Sequence, residues 1–218
     1  MNKTLNRISQ TLAALLIVVA WWKVNEQVAL WGFFNGYSKM YLFLAQSAGL
    51  LFLIPCVLVF SKYLGKIKLG HAFKKSSLPP VLAIAGIYVV EYAFSRATNQ
   101  GNELSLIGLL NGSLQNLPLT FITILIIAPI SEELVFRGFL LNSVPKGKPL
   151  FFWCAATAIA VLFAFFHSSQ YFYNSTIIEI FAVAMVFSWA RLKSGGILLP
   201  ILLHMLASTL GLVTFYLL

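Results

Sequence analysis

The chain has 218 residues, 60% of them hydrophobic and only 10% charged, where a soluble domain would carry roughly a quarter charged residues. That balance excludes an ordinary soluble enzyme and leaves no stretch for a separate soluble domain, so residues 1–218 read as a single integral membrane domain. Fifteen Lys and Arg against six acidic residues, all of them Glu, give a net charge of +9; no aromatic-interleaved basic patch accompanies the excess, which reads as the loop bias of membrane proteins and not as nucleic-acid binding.

Lys3 and Arg7 precede an apolar run from Leu12 to Trp22, and no small-x-small cleavage site follows it. The run predicts an uncleaved first transmembrane helix whose Trp21-Trp22-Lys23 end forms an aromatic belt. A second span is predicted over residues 41–60. The loop after it carries Lys62, Lys66, Lys68, Lys74 and Lys75, the densest positive cluster in the chain. Positive loops favour the cytoplasmic side, which puts this loop and the N-terminus there. Pro79-Pro80 opens a third span that reaches about Phe94. The polar segment 96–116 reads as an external loop in which Glu103 balances Arg96, with a short interfacial helix over about 104–110.

The fourth span runs over 117–141 and is followed by a positive turn at 145–149. The fifth spans 150–167, and a short polar loop, 168–175, leads into a sixth ending near Ala190. A positive turn at 191–196 precedes the seventh, 197–218. The predicted fold is all-α: a polytopic transmembrane helical bundle of seven or eight spans, its motif-bearing core at about 117–218. Cys56 and Cys154 both sit in apolar runs and read as small buried hydrophobes.

The fourth span contains Ala128-Pro129-Ile130-Ser131-Glu132-Glu133-Leu134-Val135-Phe136-Arg137-Gly138. Each charge near the centre of a membrane helix costs on the order of 3 kcal/mol on insertion scales. Chemistry or a buried ion pair has to account for three of them. Glu133 and Arg137 are four apart with Glu first, the favourable order for a pair on one helix face. Glu132 is rotated about 100° away from Glu133. The spacing suggests that Glu133 and Arg137 anchor the helix while Glu132 faces a cavity; a purely structural cluster of all three is the alternative. Pro129 cannot donate to the carbonyl of Leu125 and would kink the helix there.

Of the three histidines, His71 lies in the lysine-rich loop and reads as a solvated bystander. His167 ends the fifth span and His204 lies in the seventh. Phe163 and His167 share a helix face at four-residue spacing, as do His204 and Ser208. Helix bundles build sites from inward side chains on facing helices, so two intramembrane histidines and a Glu pair on three spans suggest one site that Phe163 would wall. At 1.5 Å per residue, Glu132 lies roughly 20 Å from the 145–149 turn, His204 roughly 15 Å from Lys193 and His167 roughly 28 Å from Lys148. A shared site then needs tilted helices, or a fourth–fifth hairpin that projects beyond the bilayer. Glu91, five residues before Arg96, reads as interfacial, and Glu179 reads as snorkelling outward; lining a cavity is the alternative for both.

Ser131 to Gly138 resembles the EExxxR signature of the CAAX-protease and bacteriocin-processing family, also called the Abi family. Phe163 to His167 fits that family's FxxxH motif, and His204 to Ser208 fits the start of its HxxxN-like motif, all in the expected order. The resemblance covers roughly 117–218. It implies an intramembrane endopeptidase, similar to the type II CAAX prenyl enzymes, that hydrolyses a membrane-bound or lipidated peptide: a CAAX-type protein or a bacteriocin. Membrane lipid and that substrate are the implied partners; the compact chain without extra domains suggests a bacterial source and so a plasma-membrane location. By matching position, Glu132 would be the general base, His167 would hold the water and His204 would bond the oxyanion. Glu133 and Arg137 would support the site. Ser208 departs from the usual amide or acid, and its shorter hydroxyl is expected to weaken the oxyanion hole or to bond back to the carbonyl of His204.

The family is also described as metalloproteases, and Glu132, His167 and His204 would give a two-His-one-Glu zinc set. A metal-free glutamate mechanism is the competing description. The adjacent Glu pair with its internal Arg leans towards it, because few net negative ligands remain for a dication. Two other functions are compatible with the residues. One is a bacteriocin self-immunity protein acting by proteolysis or by shielding. The other is a proton-coupled transporter using Glu132, Glu179 and the two histidines, against which the lack of an inverted repeat weighs.

Overall fold

Inside lipid every backbone N–H and C=O needs a partner within the protein, and a helix supplies them all from one segment. The structure, a computed structural model, describes residues 3–101, 103, 116–145 and 147–217. Among these residues there are helices and turns but no strand. Seven helical segments are long and apolar enough to cross a membrane. They are α1 (Lys3–Phe34), α2 (Tyr41–Tyr63), α3 (Leu78–Ala97), α4 (Leu117–Ser143), α5 (Pro149–His167), α6 (Asn174–Ser194) and α7 (Leu198–Leu217). The chain is an all-α, polytopic integral membrane protein. The interfacial helix expected over 104–110 lies outside the described residues.

Several boundaries differ from the sequence reading. α1 does not stop at Trp22 but continues to Phe34. Lys23 and Glu26 sit one turn apart and pair at 2.6 Å, so the charges are accommodated on the helix surface and do not end it. Trp21 is buried at 7% exposure and so is no belt residue. Likewise α6 runs through Arg191 to Ser194 and ends where Gly195 adopts φ 67°, the left-handed C-terminal cap that glycine adopts at little cost. Cys154 is exposed, because a lipid-facing position suits a small apolar side chain as well as a core does.

Two compact units divide the chain: Met1–Lys68 with Ser113–Ala155, and Leu69–Gly112 with Ala156–Leu218. In the first, α1 and α2 form a hairpin against which α4 packs. Phe60 of α2 meets Phe139 of α4 edge to face at 5.1 Å. The end of α2 is tied on both sides: Gln10 donates to the Leu64 carbonyl, and Asn142 donates to the Gly65 carbonyl at 3.3 Å. Gly49 sets how closely α1 and α2 approach. A Cβ there would stand 2.3 Å from Asn25 Nδ2 and 2.9 Å from Trp21 Nε1, and Asn25 is itself held by a 2.8 Å bond to the Trp21 carbonyl. Gly49→Ala gains helix propensity but forces these side chains apart; the clash is expected to win, with a net loss of about 1 kcal/mol in SDS-titrated unfolding.

In the second unit α3, α6 and α7 surround a buried cluster of Ile84, Val183, Phe187, Ala190, Leu199, Leu203 and Ala207. The loop before α3 crosses the α6–α7 turn backbone on backbone. Leu198 N–H donates to the Leu69 carbonyl at 2.9 Å, and His71 N–H to that of Ser194 at 3.2 Å. His71 is therefore pinned by its backbone and half-buried, not a solvated bystander. A Cβ on Gly196 would lie 2.0 Å from the carbonyl carbon and oxygen of Leu69. These are backbone atoms and cannot swing away. Gly196→Ala should break both crossing bonds and cost about 3 kcal/mol, read as a lowered Tm and poor recovery of monodisperse protein.

The loop leading into α6 is tied down from a distance. Glu103 accepts from the backbone N–H of Phe172 at 2.7 Å and of Tyr173 at 3.2 Å, and from Thr176 Oγ1 at 2.6 Å. Its carboxylate thus holds two backbone N–H groups of the loop just before α6 and a hydroxyl in the first turn, in place of the Arg96 partner expected from the sequence.

Candidate active site

The carboxylate pair lies where α4 departs from regular α geometry. Residues Thr123–Ile127 and Leu134–Leu140 are π-helical, and Ala128–Glu133 between them is α-helical. The disturbance expected at Pro129 takes this form. Ala128 N–H reaches back five residues to the Thr123 carbonyl, so the chain has slipped one register just before the residue that cannot donate. Thr123 Oγ1 donates to the Leu119 carbonyl at 2.7 Å in the α-helical turn before the π segment. Short π segments inside α-helices are frequent at functional sites.

Glu133 and Arg137 form the ion pair expected from their spacing, Arg137 Nη1 donating to Glu133 Oε1 at 2.9 Å with both side chains fully buried. Glu132 is 8% exposed, and Arg137 lies within electrostatic reach of both carboxylates. The guanidinium also stands 5.9 Å from the Phe136 ring centroid, within cation–π range. Two carboxylates and one guanidinium thus form a compact buried set.

Ser131, fully buried beside Glu132, has its Oγ 3.1 Å from the Ala128 carbonyl and 3.2 Å from Gln46 Oε1. One hydroxyl hydrogen serves one of these acceptors at a time. Gln46 of α2 therefore reaches the residue next to the pair, and the sequence reading did not single it out. Its signal was an amide in the middle of an apolar span.

In the second unit the histidines sit in a run of rings. Phe163 stacks on His167 with centroids 4.5 Å apart and planes 27° apart. Phe163 also meets the His204 ring edge-on at 5.7 Å. On another side Phe187 lies nearly flat against His204, at 4.9 Å and 24°. Contacts of this kind contribute about 0.5–1.5 kcal/mol each beyond area burial. His167 Nδ1 is 2.8 Å from the Phe163 carbonyl. A carbonyl only accepts, so Nδ1 carries a proton, and in the neutral ring Nε2 is then the acceptor nitrogen. Ser208 lies half-buried one turn after His204. The sequence reading missed Phe187, which falls in none of the three motifs.

Two other acids are placed differently from expectation. Glu179 does not snorkel: it is half-buried and takes a side-chain hydrogen bond from Tyr88 of α3. Glu91 accepts from Ser95 Oγ at 2.8 Å one turn along the same helix. Among the described residues no group of three or more His, Cys or acidic side chains is placed to hold a metal ion, and Arg137 already neutralises one of the two carboxylates.

Residues 114–210 match a family model described as Type II CAAX prenyl endopeptidase Rce1-like. That range contains Glu132, Glu133, Arg137, Phe163, His167, His204 and Ser208. An Escherichia coli protein described as "Uncharacterized 24.3 kDa protein" is 33% identical over 213 residues, covering 94% of this chain and 96% of its own length. The chain belongs to the CAAX-protease family. The family model covers the second half of the chain, and the bacterial relative aligns along nearly all of it. No solved structure matches the chain. As a CAAX-type protease at family level, the protein is a membrane-embedded hydrolase whose membrane-spanning segments carry Glu132, Glu133, Arg137, His167 and His204.

Proposed function

We propose that this protein is an intramembrane endopeptidase that uses a glutamate-activated water to cut a membrane-bound or lipidated peptide. The observation that carries this reading is the buried Glu132 beside an internally neutralised Glu133–Arg137 pair. A carboxylate in that setting is worth its cost to the membrane helix if it does chemistry. Glu132 takes a proton from water as the water oxygen attacks the scissile carbonyl. His167, its Nδ1–H given to the Phe163 carbonyl, accepts from that water through Nε2. His204 donates to the oxygen that becomes negative, and Glu132 then returns the proton to the leaving amine. Glu133 and Arg137 hold the helix turn that aims Glu132. The arginine-neutralised carboxylates favour this metal-free route, and no step needs zinc. A bacterial relative supports a plasma-membrane location, and the lysine-rich loop after α2 supports a cytoplasmic N-terminus.

The test is cleavage by the full chain in lipid nanodiscs. The probes are a farnesylated peptide ending in a CAAX sequence and the same peptide without the lipid. Release of the last three residues, with one oxygen from ¹⁸O-labelled water in the new carboxylate, is the expected result. Cleavage that survives Glu132→Ala undiminished would sink the mechanism. If neither peptide is cut, and protection against a bacteriocin persists with Glu132 and His167 both replaced, a shielding role takes its place.

A further inference from the structure

We propose that Phe187 is a positioning residue for His204: with Phe163 it grips the imidazole on two sides and fixes where the ring nitrogens point. The inference rests on the reading of His204 as oxyanion donor and adds a residue that no motif contains. A histidine side chain turns about two bonds, and the outer torsion is broad, with no sharp staggered well of its own. An oxyanion donor tolerates little of that freedom, because its hydrogen must meet an oxygen that carries charge only in the transition state. Something has to hold the plane of the ring.

Phe187 is built to do so. It is fully buried, and it belongs to the cluster that joins Ile84 of α3 to Leu199 and Leu203 of α7. Its own ring is therefore held from neighbouring helices. It presents a flat face to His204 at 4.9 Å, with the planes only 24° apart. Phe163 closes a second side, meeting the imidazole at 67°. A flat wall and a crossing edge together leave the imidazole one plane. An aliphatic side chain of similar volume would fill the space without setting that plane.

The test compares two exchanges to methionine in the same buried cluster, Phe187→Met and Ile84→Met, in the full chain in nanodiscs. Ile84 makes no part of the proposed site, so a purely packing role for Phe187 predicts that the two behave alike. Two readouts are taken. The first is the steady-state cleavage of the farnesylated CAAX peptide. Phe187→Met should lower kcat about tenfold or more with KM unchanged, as for loss of an interaction made only in the transition state, while Ile84→Met stays near the parent. The second needs no substrate: the rate at which diethyl pyrocarbonate modifies His204, followed by peptide mass spectrometry with His71 as internal reference. Phe187→Met should raise it severalfold and Ile84→Met should not. Equal behaviour of the two variants in either readout overturns the proposal. If the parent cuts no peptide, the protease reading fails and the modification rates alone decide whether Phe187 holds the ring. Should Phe187→Met not fold, Phe187→Leu against Ile84→Leu makes the same comparison.

Discussion

Arg137→Leu is expected to cost about 3–5 kcal/mol of stability, the range for removing one partner of a buried ion pair. The pair is 2.9 Å long and both side chains are fully buried, so Glu133 would be left charged with no water to solvate it. Glu132 would add to the loss, since Arg137 also lies within its electrostatic reach. The measurement is SDS-titrated unfolding of the purified variant against the parent. The double exchange Arg137→Leu with Glu133→Leu should recover much of the loss, because a well-packed apolar pair often replaces a buried ion pair without penalty. Recovery should stay incomplete, with Glu132 still present. A single variant within about 1 kcal/mol of the parent would mean that the pair is largely screened, contrary to its burial.

Glu132→Gln should lower kcat about 10³-fold, in the middle of the range that general-base catalysis contributes. The amide keeps the shape of the side chain and cannot take the proton, so KM should change little. Glu132→Asp keeps the acid but draws it back by one methylene, and a misplacement of that size should cost roughly 10²-fold. Glu133→Gln should behave in the opposite sense, with a larger loss in unfolding than in rate, because its carboxylate is committed to Arg137. A Glu132→Gln enzyme within about tenfold of the parent would fall below what a general base contributes and would remove Glu132 from the mechanism.

The seven spans and the Glu133–Arg137 pair were legible because both follow from local rules: enough apolar residues to cross the bilayer, and a four-residue helical step. The end of α1 was not, since Lys23 and Glu26 look like a stop until one sees that they neutralise each other on the helix. Glu103 was misread for a related reason. Its partners include the backbone N–H groups of Phe172 and Tyr173, just before α6 and about seventy residues along the chain, and sequence shows side-chain charges but not which distant backbone N–H groups need an acceptor. Pro129 announced a disturbance, though not that it would be a change of register. Gln46 carried a visible signal, an amide in an apolar run. Phe187 carried none, being one of nineteen Phe in the sequence, and only its flat approach to His204 separates it from the others.

The Glu133–Arg137 pair has a consequence for how the protein is made. Its two members lie on consecutive turns of one helix, so the pair can close as soon as that helix winds. Charges that pair between helices must cross into lipid before their partner arrives, each at the full insertion cost. Here the nascent fourth span brings its own counter-ion, and two of its three charges enter the bilayer already matched. Biogenesis of the span then depends on the spacing of residues within it more than on the arrival of any later helix.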